Sequence, residues 1–436
     1  MSGLIDASPE SLGRVLCSLG VRRAWLVRDP ETGAYRPSHP RLAELAEFLA
    51  ADSRDCREHE AVFLEAARRS GALFAAFLHQ TRRGQAQGGL RHWPYERLED
   101  LLRDGLRLSL GMTRKNAAAG LWWGGGKGIA ARRPESRPLD PEQRRLLFRE
   151  YGEFTSSLRG CYVTAEDAGT APADMAEVVR ATRYLTCAPP AVGGSGNPSR
   201  MTAAGVVLAM EAALGFRGRG GLAGKRVALE GTGNVGSALI PLLLERGVAG
   251  VSASEISCER RAELQARFAG LPVEVRQAHP RDHAILAEAC DVLAPCALGG
   301  VLGPKTIPLI QAELVCGAAN NQLVDDERDA RALAERGITY VPDYIANRMG
   351  IVYCCNEQYG TLTGDPIIQR HLDRDWPDGI FRTTLAVLER ARAEGVTPIA
   401  AANRLADERA REPHPLFGHR ARLIIDSLVA DRWQES

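Results

Sequence analysis

At 436 residues the chain is too long for one small core and is expected to fold as two or three domains. Hydrophobic residues make up 45% and charged ones 25%, the proportions of a soluble globular protein, which argues against a disordered or collagen-like chain. Basic and acidic side chains balance at 55 against 54, so the net charge of +1 gives no electrostatic basis for a nucleic-acid or anionic-membrane partner.

The chain has no run of eighteen apolar residues, and its start, MSGLIDASPESLGRVL, lacks the basic and apolar regions of a signal peptide, which points to the cytoplasm. Ten cysteines are scattered without a CxxC; the one close pair is Cys354 and Cys355, and free thiols packing as small hydrophobes are expected. Nine histidines are equally dispersed with no HExxH, so no metal is expected.

In chain order, residues 1–58 read as an extension with a short strand, RRAWLVRD, a turn around Pro30 and Gly33, and a helix from Arg41 to Ala51; its role is not legible. Residues 59–190 read as a mixed α/β domain that holds the substrate: apolar segments AVFLEAA and ALFAAFLH, the QGG at Gln87–Gly89, and helices through YERLEDLLRDGLRLSLGM and PEQRRLLFREYGEFTSSL. A loop rich in Gly, Pro and Ser at 189–200 marks a hinge or boundary. From 191 to 380 short apolar strands alternate with helices, the rhythm of a parallel sheet. The helices from 381 to 436 are expected to pack back on the first domain.

The segment KRVALEGTGNVGSALIPLLLERG sets Gly231, Gly233 and Gly236 between an apolar strand and an amphipathic helix. In such a GxGxxG the first glycine permits the turn, the second lets the backbone approach a pyrophosphate, and the third allows the helix to close on the strand. The helix start at Asn234 and Val235 supplies the positive dipole end. The next strand, GVSASE, ends at Glu255, nineteen residues after Gly236, where a carboxylate accepts from the ribose hydroxyls of NAD and repels the 2′-phosphate of NADP. Against this, Arg260 and Arg261 could still admit a phosphate, and the glycines alone could serve only a tight turn. The reading is a Rossmann-type NAD domain, separated by a cleft from the substrate domain.

Residues 111–131, GMTRKNAAAGLWWGGGKGIAA, place Lys115 and Lys127 beside runs of Ala and Gly where the backbone must approach something closely or take a positive φ. Each lysine reads either as a surface charge or as a buried group that pairs with a substrate carboxylate or acts as a base. In YVTAEDAGT, Glu166 and Asp167 end a strand; a carboxylate there either caps a turn or shuttles protons.

Taken together, MTRKNAAAG, GGGKG, TAEDAGT, GSGNPSRMTAAGV, GTGNVG, APCALGG, GAANNQL and PDYIANRMG resemble, in order and across residues 59 to about 410, the glutamate, leucine, phenylalanine and valine dehydrogenase family, nearest its leucine and phenylalanine branch. The resemblance implies reversible NAD-dependent oxidative deamination of a neutral L-amino acid to the 2-oxo acid and ammonia. It assigns Lys115 to the substrate α-carboxylate, Lys127 to carbonyl polarisation and water activation, and Asp167 to proton transfer. It sets Thr202, Ala297, Asn320 and Asn321 beside the nicotinamide or the substrate amine, and it implies a symmetric homo-oligomer built through the first domain.

Its pocket positions depart from the family. Gln87, beside Gly88, stands where the leucine branch has an apolar residue and glutamate dehydrogenases a lysine, and the far wall presents Ile351 and Cys354. The family's NAGG becomes Asn347, Arg348, Met349 and Gly350; Arg348 either meets a polar substrate side chain or forms a structural ion pair with a carboxylate such as Glu357. Trp122 and Trp123 either narrow the pocket or fill the core. Medium-sized neutral L-amino acids are the expected substrates. A catalytically silent sensor of NAD and an amino acid is one alternative, and a glutamate dehydrogenase, disfavoured by the missing pocket lysine, is another. Hinges are expected at 193–200 and near Ile351.

Overall fold

A strand buried on both faces must lie inside a sheet, and LFAAFLHQ at Leu73–Gln80 is buried at every residue but the last. In the computed structural model, which describes residues 3–135, 137–280 and 282–436, it lies inside an eight-stranded sheet. That sheet belongs to a first unit made of residues up to Gly196 with 354–361 and 406–436; residues 197–353 and 362–405 form a second.

The first unit runs α1 (Pro9–Ser18), β1 (Arg23–Arg28), β2 (Tyr35–Pro37), α2 (Ala43–Ala51), β3 (Ala61–Ala66), β4 (Leu73–Gln80), β5 (Ala86–Gln87), β6 (Leu90–Pro94), α3 (Leu98–Ala118), β7 (Gly124–Arg132), α4 (Pro141–Ser157), β8 (Tyr162–Val163) and α5 (Pro172–Val178). The second continues with α6 (Ser199–Phe216), β9 (Arg226–Glu230), α7 (Asn234–Glu245), β10 (Gly250–Glu255), α8 (Cys258–Arg267), β11 (Val273–Gln277), β12 (Val292–Pro295), β13 (Leu314–Val315), α9 (Asp326–Glu335), β14 (Thr339–Tyr340), α10 (Asp343–Ala346), α11 (Met349–Val352), α12 (Pro366–Arg370) and α13 (Ile380–Glu394). Helix α14 (Pro398–Ala410) passes from the second unit to the first at residue 406, and α15 (Arg420–Ala430) follows in the first.

Strand order in the first unit is β2-β1-β3-β4-β7-β5-β8, with β6 also pairing β7. The two outermost strands are three and two residues long. Side-chain alternation along β4 divides the core into two layers. Phe74, Ala76 and Leu78 join Phe148, Tyr151 and Phe154 of α4 and Ile425 and Leu428 of α15, whereas Leu73, Ala75 and Phe77 join Leu98, Leu102 and Leu106 of α3. In the second unit all six strands are parallel in the order β11-β10-β9-β12-β13-β14. With β9 counted first this is 3-2-1-4-5-6, the Rossmann order, whose switch point lies between β9 and β12.

The unit boundaries differ from those read in the sequence. Residues 1–58 are no separate extension: β1 pairs antiparallel with β3 from Arg23↔Glu65 to Val27↔Ala61, and Leu12, Leu16, Leu45 and Leu49 enter the α3-side core. These pairings join residues some forty apart, which no local periodicity reveals. The division after the first unit falls at Gly196 rather than 190. Of the C-terminal helices expected to pack back from 381, only residues 406–436 belong to the first unit; α13 packs on α6 in the second.

Two buried histidines fasten the end of the former extension to α3. Nε2 of His79 donates to the Arg57 carbonyl at 2.7 Å while Nδ1 lies 2.8 Å from the Thr113 hydroxyl. His59 Nε2 donates to the Leu106 carbonyl at 2.9 Å and its Nδ1 accepts from the Arg57 N–H at 3.1 Å. Each ring is thus satisfied as a neutral imidazole, with tautomers fixed by the carbonyls. Burial holds His79 down to about 3 and depresses His59, whose ring also faces His79. Because the folded value lies below the unfolded 6.5, the unfolded chain binds more protons between them, and stability present above pH 6.5 is lost as pH falls towards 3. Thermal unfolding followed from pH 7.5 to 4 is expected to show a falling midpoint, with a shallower slope in His79→Gln.

Candidate functional site

The GGGKG run forms the first half of β7 and owes its glycines to packing. Gly125 faces α3, where an added Cβ would stand 2.1 Å from Thr113 Oγ1; Gly128 faces α4, where it would stand 1.9 Å from the Tyr151 hydroxyl oxygen. Both expectations hold, at different glycines: none of these strand glycines has a positive φ, and close approach explains them, whereas Gly120 of the preceding AAAG run has φ +72°. Alternation then sets Gly125 and Lys127 on the α3 face. Parallel pairing of Gln87 with Gly125 on one side and Val163 on the other adds Gln87 to the same face. Lys115 sits in the last turn of α3, half-buried.

Lys127 is 4% exposed, and its ammonium pairs with the carboxylate of Asp167. The TAEDAGT turn presents that carboxylate: the Asp167 N–H donates to Thr170 Oγ1 at 2.9 Å, and Thr170 Oγ1 donates back to the Asp167 carbonyl at 2.6 Å. Arg91 Nε lies 3.8 Å from Asp167 and is itself held by Asp104, 3.0 Å from its Nη1, which also accepts from the Tyr95 hydroxyl at 2.7 Å. Burial pushes the Asp167 carboxyl up, but Lys127 and Arg91 outweigh it and leave the group below its ordinary range, an ionised carboxylate at neutral pH. Glu166 is exposed, and partial burial with Asp174 and Asp167 nearby raises it. Arg91, Asp104 and Tyr95 were missed in the sequence; their only signal was position, since Arg91 stands two residues after the QGG.

Gln87 is 3% exposed, its Nε2 within 3.4 Å of Thr186 Oγ1 and its Oε1 without a hydrogen-bond partner. Gly88 is a packing glycine: a Cβ there would overlap the Gly126 carbonyl, and its own carbonyl accepts from the Tyr162 hydroxyl at 2.7 Å. Cys354 is buried beside Cys187, whose φ of 61° is unusual for a non-glycine. Trp123 is buried; Trp122 is 41% exposed at the surface of the first unit, stacked under the Arg83 guanidinium at 4.0 Å, and so fills no core.

In the second unit the glycine loop joins β9 to α7. Gly231 has φ +86° and a Cβ there would stand 2.5 Å from that of Ala297; at Gly236 it would stand 2.1 Å from the Gly231 carbonyl oxygen. At Gly233 it would meet nothing within 4 Å, and no side chain caps the start of α7 at Asn234 and Val235. The protein therefore fills the space over two of the three glycines and leaves the third, with the helix N-terminus, open to an anion. Glu255 ends β10, 7% exposed, and accepts from Thr232 Oγ1 at 2.5 Å and the Ser257 N–H at 2.8 Å. Glu230, missed in the sequence, closes β9 with burial pushing its carboxyl up to about 7. These residues fit a dinucleotide: an open glycine, an uncapped helix start and a strand-end carboxylate on the neighbouring strand.

Thr202 on α6 is buried, its hydroxyl donating to the Pro198 carbonyl at 3.0 Å and lying 3.3 Å from where a Gly350 Cβ would stand. Asn347 donates to Asn320 Oδ1 at 2.8 Å, and the Asn321 N–H donates to the Asp343 carboxylate, so these residues share one loop network. Ile351 lies buried in α11. Arg348 is fully buried in the second unit, donating to the Asp378 carbonyl and to Thr383 Oγ1 at 3.2 Å. Glu357 is not its partner: that carboxylate, in the first unit, accepts from the Ala188 N–H at 3.1 Å and from the Ser195 N–H at 3.0 Å and hydroxyl. Among the described residues no group of three or more His, Cys, Asp or Glu could hold a metal ion, and no helix is long and apolar enough to cross a membrane.

Comparisons with known proteins agree with this geometry. Residues 193–415 match the family model for glutamate/leucine/phenylalanine/valine dehydrogenase, and 64–184 match the model for the dimerisation domain of the same enzymes. The chain is 37% identical over 369 residues to a leucine dehydrogenase of Geobacillus stearothermophilus, covering 83% of this chain and 95% of the relative. It is 40% identical over 356 residues to a valine dehydrogenase of Streptomyces virginiae, covering 80% and 93%. The crystal structure of an L-tryptophan dehydrogenase from Nostoc punctiforme superposes with a TM-score of 0.67 at 32% identity, over 85% of this chain and 98% of that one.

The glycine loop generates a paired test. Gly231→Ala combines an unfavourable φ with a clash and is expected to destabilise by about 1–3 kcal/mol, whereas Gly233→Ala leaves the unfolding midpoint within experimental error. Equal destabilisation would contradict the division between packed and open glycines.

Proposed function

The chain belongs to the Glu/Leu/Phe/Val dehydrogenase family and is an amino-acid dehydrogenase, and we propose that it carries out the reversible NAD-dependent oxidative deamination of a medium-sized neutral L-amino acid. The observation that carries this reading is the Lys127–Asp167 pair, a buried ammonium against a carboxylate on one sheet face. The relatives with 37% and 40% identity act on leucine and valine, which supports a neutral side chain, and the pocket position of a glutamate-binding lysine is taken by the amide of Gln87.

In this reading Gly233, the start of α7 and Glu255 hold NAD, with Thr202, Ala297 and Asn320 beside its nicotinamide end. When bound, NAD accepts the hydride from the substrate Cα. Everything else falls to side chains of the chain. Lys115 pairs with the α-carboxylate and fixes the Cα. Asp167, ionised at neutral pH, takes a proton from the substrate ammonium and later returns one to the departing ammonia. Lys127 polarises the carbon that water attacks and exchanges its proton with Asp167 through their contact. Gln87, Gly88 and Cys354 of the first unit belong to the substrate's surroundings. The protein is cytoplasmic and homo-oligomeric in this reading, the latter supported by the match to a dimerisation-domain model.

Turnover is measured as NADH absorbance with a panel of L-amino acids at alkaline pH. Lys127→Ala is expected to lose about 10²- to 10⁴-fold in kcat with NAD affinity retained. It is the cleaner variant, because Arg91 remains beside Asp167, whereas Asp167→Asn strands a buried ammonium and costs about 3–5 kcal/mol of stability besides turnover. Wild-type rates in Lys127→Ala would refute the assignment, and a wild-type chain inert on every amino acid would favour a silent sensor. Glu255→Ser is expected to narrow the preference for NAD over NADP, read as the ratio of kcat/KM for the two; an unchanged ratio would remove Glu255 from cofactor selection.

A further inference from the structure

Cysteines 187 and 354 stand 167 residues apart in the chain, yet their sulfurs face each other at 2.8 Å. Neither thiol is free to drift away. Cys187 sits at φ +61°, a region that a residue with a β-carbon holds only where its surroundings enforce it. The enforcement is visible on both sides: the Thr186 N–H donates to the Thr164 carbonyl at 2.9 Å, and the Ala188 N–H donates to Glu357 at 3.1 Å. Glu357 lies three residues beyond Cys354 and also binds Ser195, so one carboxylate fastens the segment carrying Cys354 to the loop carrying Cys187. Both segments belong to the first unit.

A disulfide needs its sulfurs at about 2.05 Å, and these two already stand inside van der Waals contact, so only a short further approach separates them from a bond. Access is asymmetric: Cys354 is 1% exposed, whereas Cys187 is half-buried. A cavity of about 520 Å³ is lined by Leu185 and Ala188, on either side of Thr186 and Cys187, and by Glu357.

We propose that Cys187 and Cys354 form a redox modification site, closed to an intramolecular disulfide by exchange with a low-molecular-weight disulfide. The Cys187 thiolate attacks one sulfur of the reagent, whose other half leaves as a thiolate and takes up the proton. Cys354 then attacks the Cys187 sulfur of the mixed disulfide, expelling the second half as a thiol. The protein loses two S–H hydrogens and gains one S–S bond, and the reagent disulfide is reduced to two thiols. The hydrogen bond to Cys354, burial and the neighbouring Glu357 carboxylate keep the Cys187 thiol protonated, so the exchange is slow. The bond ties residue 354, where the chain enters the first unit from Tyr353, to a loop whose Thr186 touches Gln87 on the Lys127 face. Reversible loss of turnover follows; this consequence rests on the deamination reading, whereas formation of the bond does not.

The full chain is incubated with glutathione disulfide, its remaining thiols are alkylated, and its peptides are mapped by mass. The expected product joins the peptides of Cys187 and Cys354, two hydrogens lighter than their sum. Cys187→Ser or Cys354→Ser abolishes it and Cys355→Ser does not. Glutathione adducts without a cross-link, or a cross-link that survives Cys354→Ser through Cys355, would overturn the proposal, and mapping of the wild-type chain decides even where a variant fails to fold. The cross-linked chain is expected to lose at least half its turnover and to regain it with dithiothreitol. An unchanged rate in a verified cross-linked sample would refute the regulatory consequence, and a chain inert both before and after oxidation would instead count against the deamination reading.

Discussion

The first unit turns on one electrostatic constraint: an ammonium cannot be 4% exposed without a counter-charge, and for Lys127 that charge is Asp167. The surrounding side chains follow from meeting it. The carboxylate is presented by a turn locked through Thr170, and its second cation, Arg91, is in turn held by Asp104 and Tyr95. A buried pair of this kind contributes little net stability, since desolvation consumes most of the Coulomb attraction. In a strand otherwise built of Gly, Ala and Ile up to its closing Arg132, the pair is therefore not what holds the fold together.

The second unit answers a different constraint, the approach of backbone to backbone. Gly231 and Gly236 are dictated by Ala297 and by the loop's own carbonyl, and Gly233 is the glycine that nothing in the protein requires. This distinction separates a tight turn from a ligand cradle, and a pattern of three glycines by itself does not supply it. Glu255 at the end of β10 adds a carboxylate that Thr232 and Ser257 already orient.

Legibility followed sequence distance. The alternation of strands and helices after residue 197 and the GxGxxG were readable because both are local patterns, and the six-stranded order agrees with them. Lys127 and Asp167 are forty residues apart, and residue chemistry alone left each with an ordinary alternative; the family resemblance brought them together. The pairing of β1 with β3, which turns an apparent extension into part of the sheet, had no local signal. Nor did the partners of Arg348 and Glu357: the ion pair offered between them does not form, Arg348 donating to the Asp378 carbonyl and the Thr383 hydroxyl and Glu357 accepting from two N–H groups and a hydroxyl.

The eight-stranded sheet ends in strands of three and two residues, β2 closing at Pro37 and β8 at Val163. Exposed strand edges are templates for aggregation, and these offer a newcomer only a few backbone groups before a proline or a turn interrupts the ladder. At the β8 end the next residues are already engaged, Thr164 pairing with the segment at Leu185, so this edge presents a paired ladder rather than a bare one.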